Sequence, residues 1–423
     1  MNPLVARADR PVSGLERTWL AADRIHGPFV NQLVLEGTGV PGPEALRQAV
    51  DAAGRAHPGA CLRLRGWLRG LRWTADGAPP RLRVEDGSTW DGHSPAGAPF
   101  LTEPLDPVRG PVVEVVLVRG ADPGDASGQR LVFRTHHAAM DGRGTWLFAA
   151  DVFRVLRGEA PKGSESGPWI DVDYARMATE EPLPEPVADR MAPTGSPLSD
   201  SFETTWARAR VEGDFRGLLP RALVALWRAS RVHTTDPLRF AVPVDLRRYR
   251  PERRSTANLT GVLRLDLDGV TSVAQAHARV RARLTSALNA HHAARMALGA
   301  DRVRGLPLGL MSWAGRRMAK NQLQSGRFPV SASISNLGRQ DLSRVSAPAF
   351  RATRAFWIPP GSPSMPLFLT LNGDVDGLDI VATAPVGLAS GGRLETLLAS
   401  MAEALQSERD RLPAPTREEG GES

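Results

Sequence analysis

At 423 residues, 42% hydrophobic and 23% charged, the chain is long enough to bury more than one core without a metal or disulfide staple. Its 41 glycines and 35 prolines fall short of a collagen-like or disordered composition. The single cysteine, Cys61, excludes an internal disulfide framework and a cysteine-based zinc cluster, and the net charge of +7 raises a nucleic-acid reading that the motifs do not support.

The opening MNPLVARADRPVSG lacks the basic start and apolar core of a secretion signal. Residues 14–25 place Leu15, Trp19, Leu20 and Ile25 near one helical face, VNQLVLEG at 30–37 reads as a strand, and 43–56 repeats the helical pattern behind Pro43. Short extended runs follow in ACLRLRG, RLRVED, PVVEVVLVRG and RLVFRT, the last two separated by the turn-rich ADPGDASGQ and so expected to form a hairpin. After HHAAMDG, a helix carries Trp146, Ala149, Ala150 and Phe153 on one stripe. These elements define an α+β lobe over 1–160.

Residues 161–200 are rich in Pro, Gly, Ser and Glu, and PLPEPV and APTGSPLSD cannot sustain a helix or central strand. This stretch is expected to link the lobes. A second lobe, 201–412, repeats the alternation: strands at 204–213, 238–245 and 258–268, helices at 215–232 and 271–298, late strands at 329–335, 365–373 and 378–384, and a closing helix from about 389 to 410. A flexible tail, 413–423, completes the chain. No sequence repeat relates the halves. No run of 18 apolar residues occurs, so no membrane span is expected, and with the lone cysteine this makes the cytoplasm the expected compartment.

All basic residues except Lys162 and Lys320 are arginine, a bias that a GC-rich genome produces without selection for charge. The excess is local: residues 201–330 hold 23 basic and 9 acidic residues, the remainder 30 and 37. That asymmetry suits an acidic or phosphate-bearing partner. Zinc-finger spacing, RNP-like motifs and basic helices interleaved with aromatics are missing, so no nucleic acid partner is expected.

The segment His136, His137, Ala138, Ala139, Met140, Asp141, Gly142 lies between a predicted strand and a predicted helix, where a loop is held rigidly yet remains reachable. Adjacent side chains leaving a strand point to opposite faces, so one histidine faces a common cavity and the other packs behind it. A neutral imidazole takes a proton from an attacking hydroxyl or amine and returns it to a leaving group. Asp141 either orients the imidazole or locks the loop on an arginine. Gly142 permits unusual dihedrals or close approach of a ligand.

HHAAMDG resembles the signature of the acyltransferase superfamily that includes chloramphenicol acetyltransferase, nonribosomal condensation domains, plant HxxxD acyltransferases and mycobacterial polyketide-associated acyltransferases. The resemblance implies an α/β (α+β) two-lobed chloramphenicol acetyltransferase-like fold: a V-shaped pseudo-dimer, a mixed sheet with flanking helices in each lobe, and a central tunnel. It implies that His137 is the catalytic histidine, that His136 supports it, and that Asp141 is held by an arginine of the second lobe. AVPVDLRR at 241–248 resembles the family's V-D-x-R strand and makes Arg247 that arginine. VSASISNLG at 330–338 resembles a shared strand and turn ending in SNxG, which makes Ser333 or Ser335 a candidate oxyanion donor. The DFGWG of plant enzymes is absent, and RALVALWRA stands where wax ester synthases and diacylglycerol acyltransferases carry N-D-V.

The resemblance further implies an acyl-CoA or carrier-protein (phosphopantetheinyl) thioester as co-substrate, an alcohol or amine acceptor, no bound cofactor and a monomer. A noncatalytic condensation-like recruitment module and a wax ester or diacylglycerol-type acyltransferase are the alternatives. His291 and His292 lack a following Asp-Gly and a metal-ligand spacing, so no metal site is expected there. Cys61 reads as packing, and GxSxG, P-loop and Rossmann fingerprints are missing. Trp19, Trp146 and Trp357 are expected to pack or to line a tunnel.

Overall fold

The computed structural model describes residues 9–120, 129–165, 167–180, 188–215 and 217–410. In chain order the elements are β1 (Asp9–Pro11), α1 (Gly14–Ile25), β2 (Val30–Thr38), α2 (Pro43–Ala56), β3 (Arg63–Arg65), β4 (Arg72–Thr74), β5 (Arg81–Asp86), β6 (Val113–Arg119), β7 (Gln129–His136) and α3 (Gly142–Leu156). A short α4 (Asp171–Ala175) precedes β8 (Thr204–Glu212), α5 (Leu218–Ser230), β9 (Arg239–Asp245), β10 (Thr260–Asp266), α6 (Val273–Asn289), α7 (His292–Ala300) and α8 (Leu308–Ser325). The chain closes with β11 (Ala332–Arg339), β12 (Arg351–Ile358), β13 (Phe368–Gly373), β14 (Gly377–Pro385), α9 (Val386–Ala389) and α10 (Arg393–Asp410).

Local chemistry fixes the elements that frame the site. α1 starts on a capping box: the Glu16 amide donates to Ser13 Oγ at 3.2 Å and the Ser13 amide donates to Glu16 Oε2 at 2.9 Å, which satisfies two of the helix's free N–H groups. β7 reads QRLVFRTH and is buried at all but one position, as befits a strand covered on both faces. It lies between β2 and β6, antiparallel to both. The loop between β6 and β7 falls outside the described residues.

The first sheet runs β12-β2-β7-β6-β5 and the second β10-β9-β11-β13-β14-β8, each mixing parallel and antiparallel pairs. β1, β4 and β3 form a small third sheet. In the first lobe Leu33, Leu35, Leu117 and Phe133 pack against Phe148 and Phe153 of α3. In the second, Phe240, Leu263, Ile334, Leu369 and Ile380 pack with α5, α6 and α10. Period-two alternation sends Val34, Val116 and Val132 to the other face of the first sheet, where they meet Trp206, Phe356 and Val381 in a core shared by the two lobes. Each such side chain contributes roughly 1.5–3 kcal/mol on burial, so the junction is a hydrophobic seam.

Three features differ from the sequence reading. β12 lies within 201–412 yet pairs with β2 in the first sheet, so that sheet is not built from 1–160 alone. Its sequence RATRAFWI alternates only partly, and its partner is more than 300 residues away. The continuous helix expected over 271–298 breaks at His291, which adopts φ 51° and separates α6 from α7. α8 has apolar residues scattered around its surface, so no periodic stripe announces it in the sequence. In the expected linker, the segment 181–187, which holds PLPEPV, lies outside the described residues; APTGSPLSD forms turns, while DVDYA makes one helical turn.

Candidate active site

β7 ends at His136, and the chain crosses from the sheet to α3 through residues 137–141. His136 is fully buried; its Nδ1 accepts from the Ala138 amide at 3.3 Å, and its Nε2 lies 3.7 Å from Asp23 Oδ2. His137 turns the opposite way and lines a cavity. Its amide donates to the Phe29 carbonyl at 3.0 Å, and its carbonyl accepts from Asn258 Nδ2 at 2.8 Å. One anchor comes from each lobe.

The His137 ring stacks on Trp19 and Phe29, each with centroids 5.5 Å away. Asn31 Nδ2 lies 3.0 Å from His137 Nδ1 and donates to the Met140 carbonyl at 2.8 Å. Burial pushes the imidazole down to about 4; the Asp141 charge and the Met140 carbonyl oppose that shift, and His136 adds to it. The ring is therefore neutral at pH 7. A proton on Nδ1 is held by the Met140 carbonyl, leaving the lone pair on Nε2; with Nδ1 bare, Asn31 donates to it and the proton moves to Nε2.

Asp141 points away from the imidazole. Its Oδ1 accepts from the Gly144 amide at 2.8 Å and caps α3. Arg247 grips the carboxylate with both terminal nitrogens, Nη1 to Oδ2 at 2.9 Å and Nη2 to Oδ1 at 3.1 Å, and the Leu259 amide adds a bond to Oδ2 at 2.9 Å. Burial alone would lower Arg247's affinity for its proton, yet Asp141 and Asp245 raise it. Arg247 also donates to the carbonyls of Ser255 and Ala257. Of the two roles open to Asp141, the geometry realises the loop lock, and it fastens the first lobe's loop to the second lobe.

The cavity measures about 650 Å³ and takes its wall from α1, β2, the 137–141 loop, the start of α3, β9, β10, α7, α8, β11, β12 and β13. Its lining is largely apolar, including Trp19, Phe29, Met311, Met365 and Trp357. Ser333 and Ser335 both line it, and among the described residues neither hydroxyl has a hydrogen-bond partner. Ser331 faces away, its Oγ accepting from the Arg239 amide. Gly142 also lines the cavity, but its φ is not positive and an added Cβ would make ordinary contacts from 3.5 Å outward. The close approach expected at Gly142 instead occurs two residues on: a Cβ at Gly144 would lie 2.2 Å from the Thr256 carbonyl oxygen. Sequence reading missed Asn31, Asn258 and Gly144. Asn31 and Asn258 carry no motif, and their roles depend on loops brought together by the fold.

Other pairings are structural. His57 Nε2 and Asp151 Oδ2 lie 2.8 Å apart but are sealed in the first lobe, where burial alone would raise the carboxyl and His57 with the Gly163 amide pulls it down to about 2. His291 Nδ1 meets the Tyr249 hydroxyl at 3.1 Å. Burial raises the Cys61 thiol to about 11, which leaves it a poor nucleophile. Trp146 packs in the core while Trp19 and Trp357 line the cavity. Among the described residues, no group of three His, Cys, Asp or Glu side chains is arranged to hold a metal ion.

The two-lobed, mixed-sheet architecture has counterparts in solved structures. The condensation domain of the monacolin K polyketide synthase MokA superposes with a TM-score of 0.64 at 13% identity, over 95% of this chain and 98% of that one. The chain has the condensation-domain fold. The starter condensation domain of rhizomide synthetase RzmA, solved as a mutant in complex with C8-CoA, shares this condensation fold with a TM-score of 0.63 at 16% identity, over 94% of this chain and 95% of that one. So does the trichothecene 15-O-acetyltransferase TRI3 from Fusarium sporotrichioides, with a TM-score of 0.62 at 11% identity and 94% coverage of each chain. Two uncharacterized proteins of Mycobacterium tuberculosis, from strains CDC 1551 / Oshkosh and H37Rv, are each 29% identical to this condensation-fold chain over 78% of it and 83% of their own length. No family model matches the chain.

Proposed function

We propose that this chain is an acyltransferase that moves an acyl group from a pantetheine thioester, on CoA or a carrier protein, to a hydroxyl or amine. The observation that carries the reading is His137: a neutral imidazole on a cavity shared by both lobes, held by a loop that Asp141 and Arg247 lock in place. The acceptor's O–H or N–H attacks the thioester carbonyl carbon while His137 Nε2 takes its proton, and the Met140 carbonyl supports the proton that remains on Nδ1. Ser333 or Ser335 donates to the oxyanion, an effect worth roughly 3 kcal/mol. Collapse of the adduct breaks the carbon–sulfur bond, and His137 returns the proton to the departing thiolate. No covalent enzyme intermediate or bound cofactor is needed.

The apolar lining suits an acyl chain, and the positive charge of 201–330 suits a phosphate-bearing donor. No helix among the described residues is long and apolar enough to cross a membrane. Working as a monomer in the cytoplasm fits one chain that supplies both walls of the cavity and a single, half-buried thiol.

Intact mass spectrometry of products from a panel of acyl thioesters and small alcohols and amines tests the reading. The expected result is an acceptor heavier by one acyl group with release of one equivalent of free thiol. Absence of acylated product across the panel, with folded protein, overturns it. A noncatalytic recruiter would keep its function in His137→Ala.

A further inference from the structure

α8 presents three faces. Leu308, Ala319, Gln322 and Leu323 are buried, Met311, Ala314 and Met318 line the cavity, and the outward face carries Leu310, Trp313, Arg317 and Lys320. At about 100° per residue, positions 310, 313, 317 and 320 form one stripe. It is apolar toward the helix N-terminus, where Leu310 is 50% and Trp313 64% exposed, and cationic toward the C-terminus. Among the described residues, neither Arg317 nor Lys320 meets a carboxylate.

The start of α8 adjoins the loop between β3 and β4. Arg17 ties them, donating from Nη1 to the Leu306 carbonyl at 2.9 Å and from Nη2 to the Leu68 carbonyl. Beside this tie lies a recess of about 540 Å³ lined by Arg17, Arg24, Arg63, Arg65, Trp67 and Val108 along with the first residues of α8; Asp76 pairs with Arg63 at 3.1 Å and with Arg65 at 2.6 Å, and Arg17 is buried, so among the described residues Arg24 is the exposed, unpaired cation of the recess. Trp67 stands 74% exposed at its rim. Between residues 295 and 327 the sequence holds seven basic residues and one acidic residue, Asp301.

We propose that this face is a docking surface for an anionic lipid bilayer. Trp67, Leu310 and Trp313 enter the interface between headgroups and acyl chains; Arg317, Lys320 and Arg24 meet lipid phosphates. A second copy of the chain would bring like charges together. An acidic protein would match the charge yet would have to accommodate two protruding indoles, whereas a bilayer interface takes indole and leucine side chains readily. Leu306 and Met318 line the cavity and are themselves 41% and 49% exposed, so the cavity opens beside the docking helix.

Co-sedimentation of the full chain with phosphatidylcholine vesicles, with and without phosphatidylglycerol, tests the proposal. The expected result is binding to the anionic vesicles that weakens as salt rises through ~0.1 M, with much weaker binding to neutral ones. Trp67→Ser/Leu310→Ser/Trp313→Ser, with none of these residues in the cavity wall, should lower the partition coefficient at least about tenfold. Arg317→Glu/Lys320→Glu should lower it by a similar factor, since each cation near an anionic surface is worth about fivefold. Circular dichroism and melting temperature should match the parent. The proposal is overturned if the parent ignores anionic vesicles at low salt, if the triple variant binds as well as the parent, if the face proves to be a dimer interface, or if an acidic carrier protein is captured while vesicles are not. Docking does not depend on His137: vesicle binding by a protein without turnover sinks only the acyl-transfer reading, and turnover without vesicle binding sinks only the docking surface.

Discussion

At the scale of single residues, the proposed role of the His137 imidazole predicts a pH profile. Only its neutral form accepts a proton, and because burial holds it down to about 4, kcat/KM should stay level from neutral pH to about 5 and fall with unit slope below about 4. An unperturbed histidine would bend the profile near 6.5 instead. Asn31→Asp puts a carboxylate beside Nδ1, which favours the imidazolium, so the same profile should bend closer to neutrality. The motif makes His136, His137 and Asp141 legible in the sequence because those residues are chemically distinctive and close together. Asn31 and Asn258 stay hidden because ordinary amides become partners of His137 only when β2 and the segment just before β10 come alongside the loop.

At the scale of elements, the strand–loop–helix unit from β7 to α3 depends on one carboxylate. Asp141→Asn removes the charge shared by Arg247, the Leu259 amide and the Gly144 amide. Breaking a buried pair of this kind costs about 3–5 kcal/mol, to be read as a lower urea midpoint with turnover reduced at pH 7. Arg247→Lys keeps the charge but loses the two-pronged grip, and should fall between parent and Asp141→Asn. Gly144→Ala would ordinarily favour a helix by about 1 kcal/mol; here the Thr256 carbonyl lies 2.2 Å from the new Cβ, so destabilisation of about 1–3 kcal/mol is expected from denaturant unfolding. Elements with a clean period, such as α2 over Pro43–Ala56 and β5 over Arg81–Asp86, are legible to the residue. β12 is not, since its pairing with β2 is a nonlocal event, and the break between α6 and α7 rests on one left-handed residue in an otherwise helical pattern.

At the scale of the molecule, the two lobes share more than a hinge. β12 crosses into the first sheet, and Arg208 of β8 reaches Glu36 of β2 at 3.1 Å while bonding Asp379 of β14 at 2.7 Å. Calorimetry should therefore give one cooperative unfolding transition, and two separated transitions would refute the shared core; Arg208→Ala, which leaves the buried Asp379 and the half-buried Glu36 each short of a partner, should lower the melting temperature while keeping that single transition. The alternation of elements and the Pro-rich 161–200 stretch suggest two lobes from the sequence, but composition carries no trace of the crossing strand or of the seam where Val34, Trp206 and Phe356 meet. The central claim is that His137 moves the proton in acyl transfer, and the most direct measurement is the rate of free thiol release from an acyl thioester that the parent protein uses, compared between the parent and a folded His137→Ala. General base catalysis typically contributes about 10²- to 10⁴-fold, so the variant should be slower by about 10²-fold or more with its melting curve preserved; a folded variant that releases thiol at the parent rate would contradict the account.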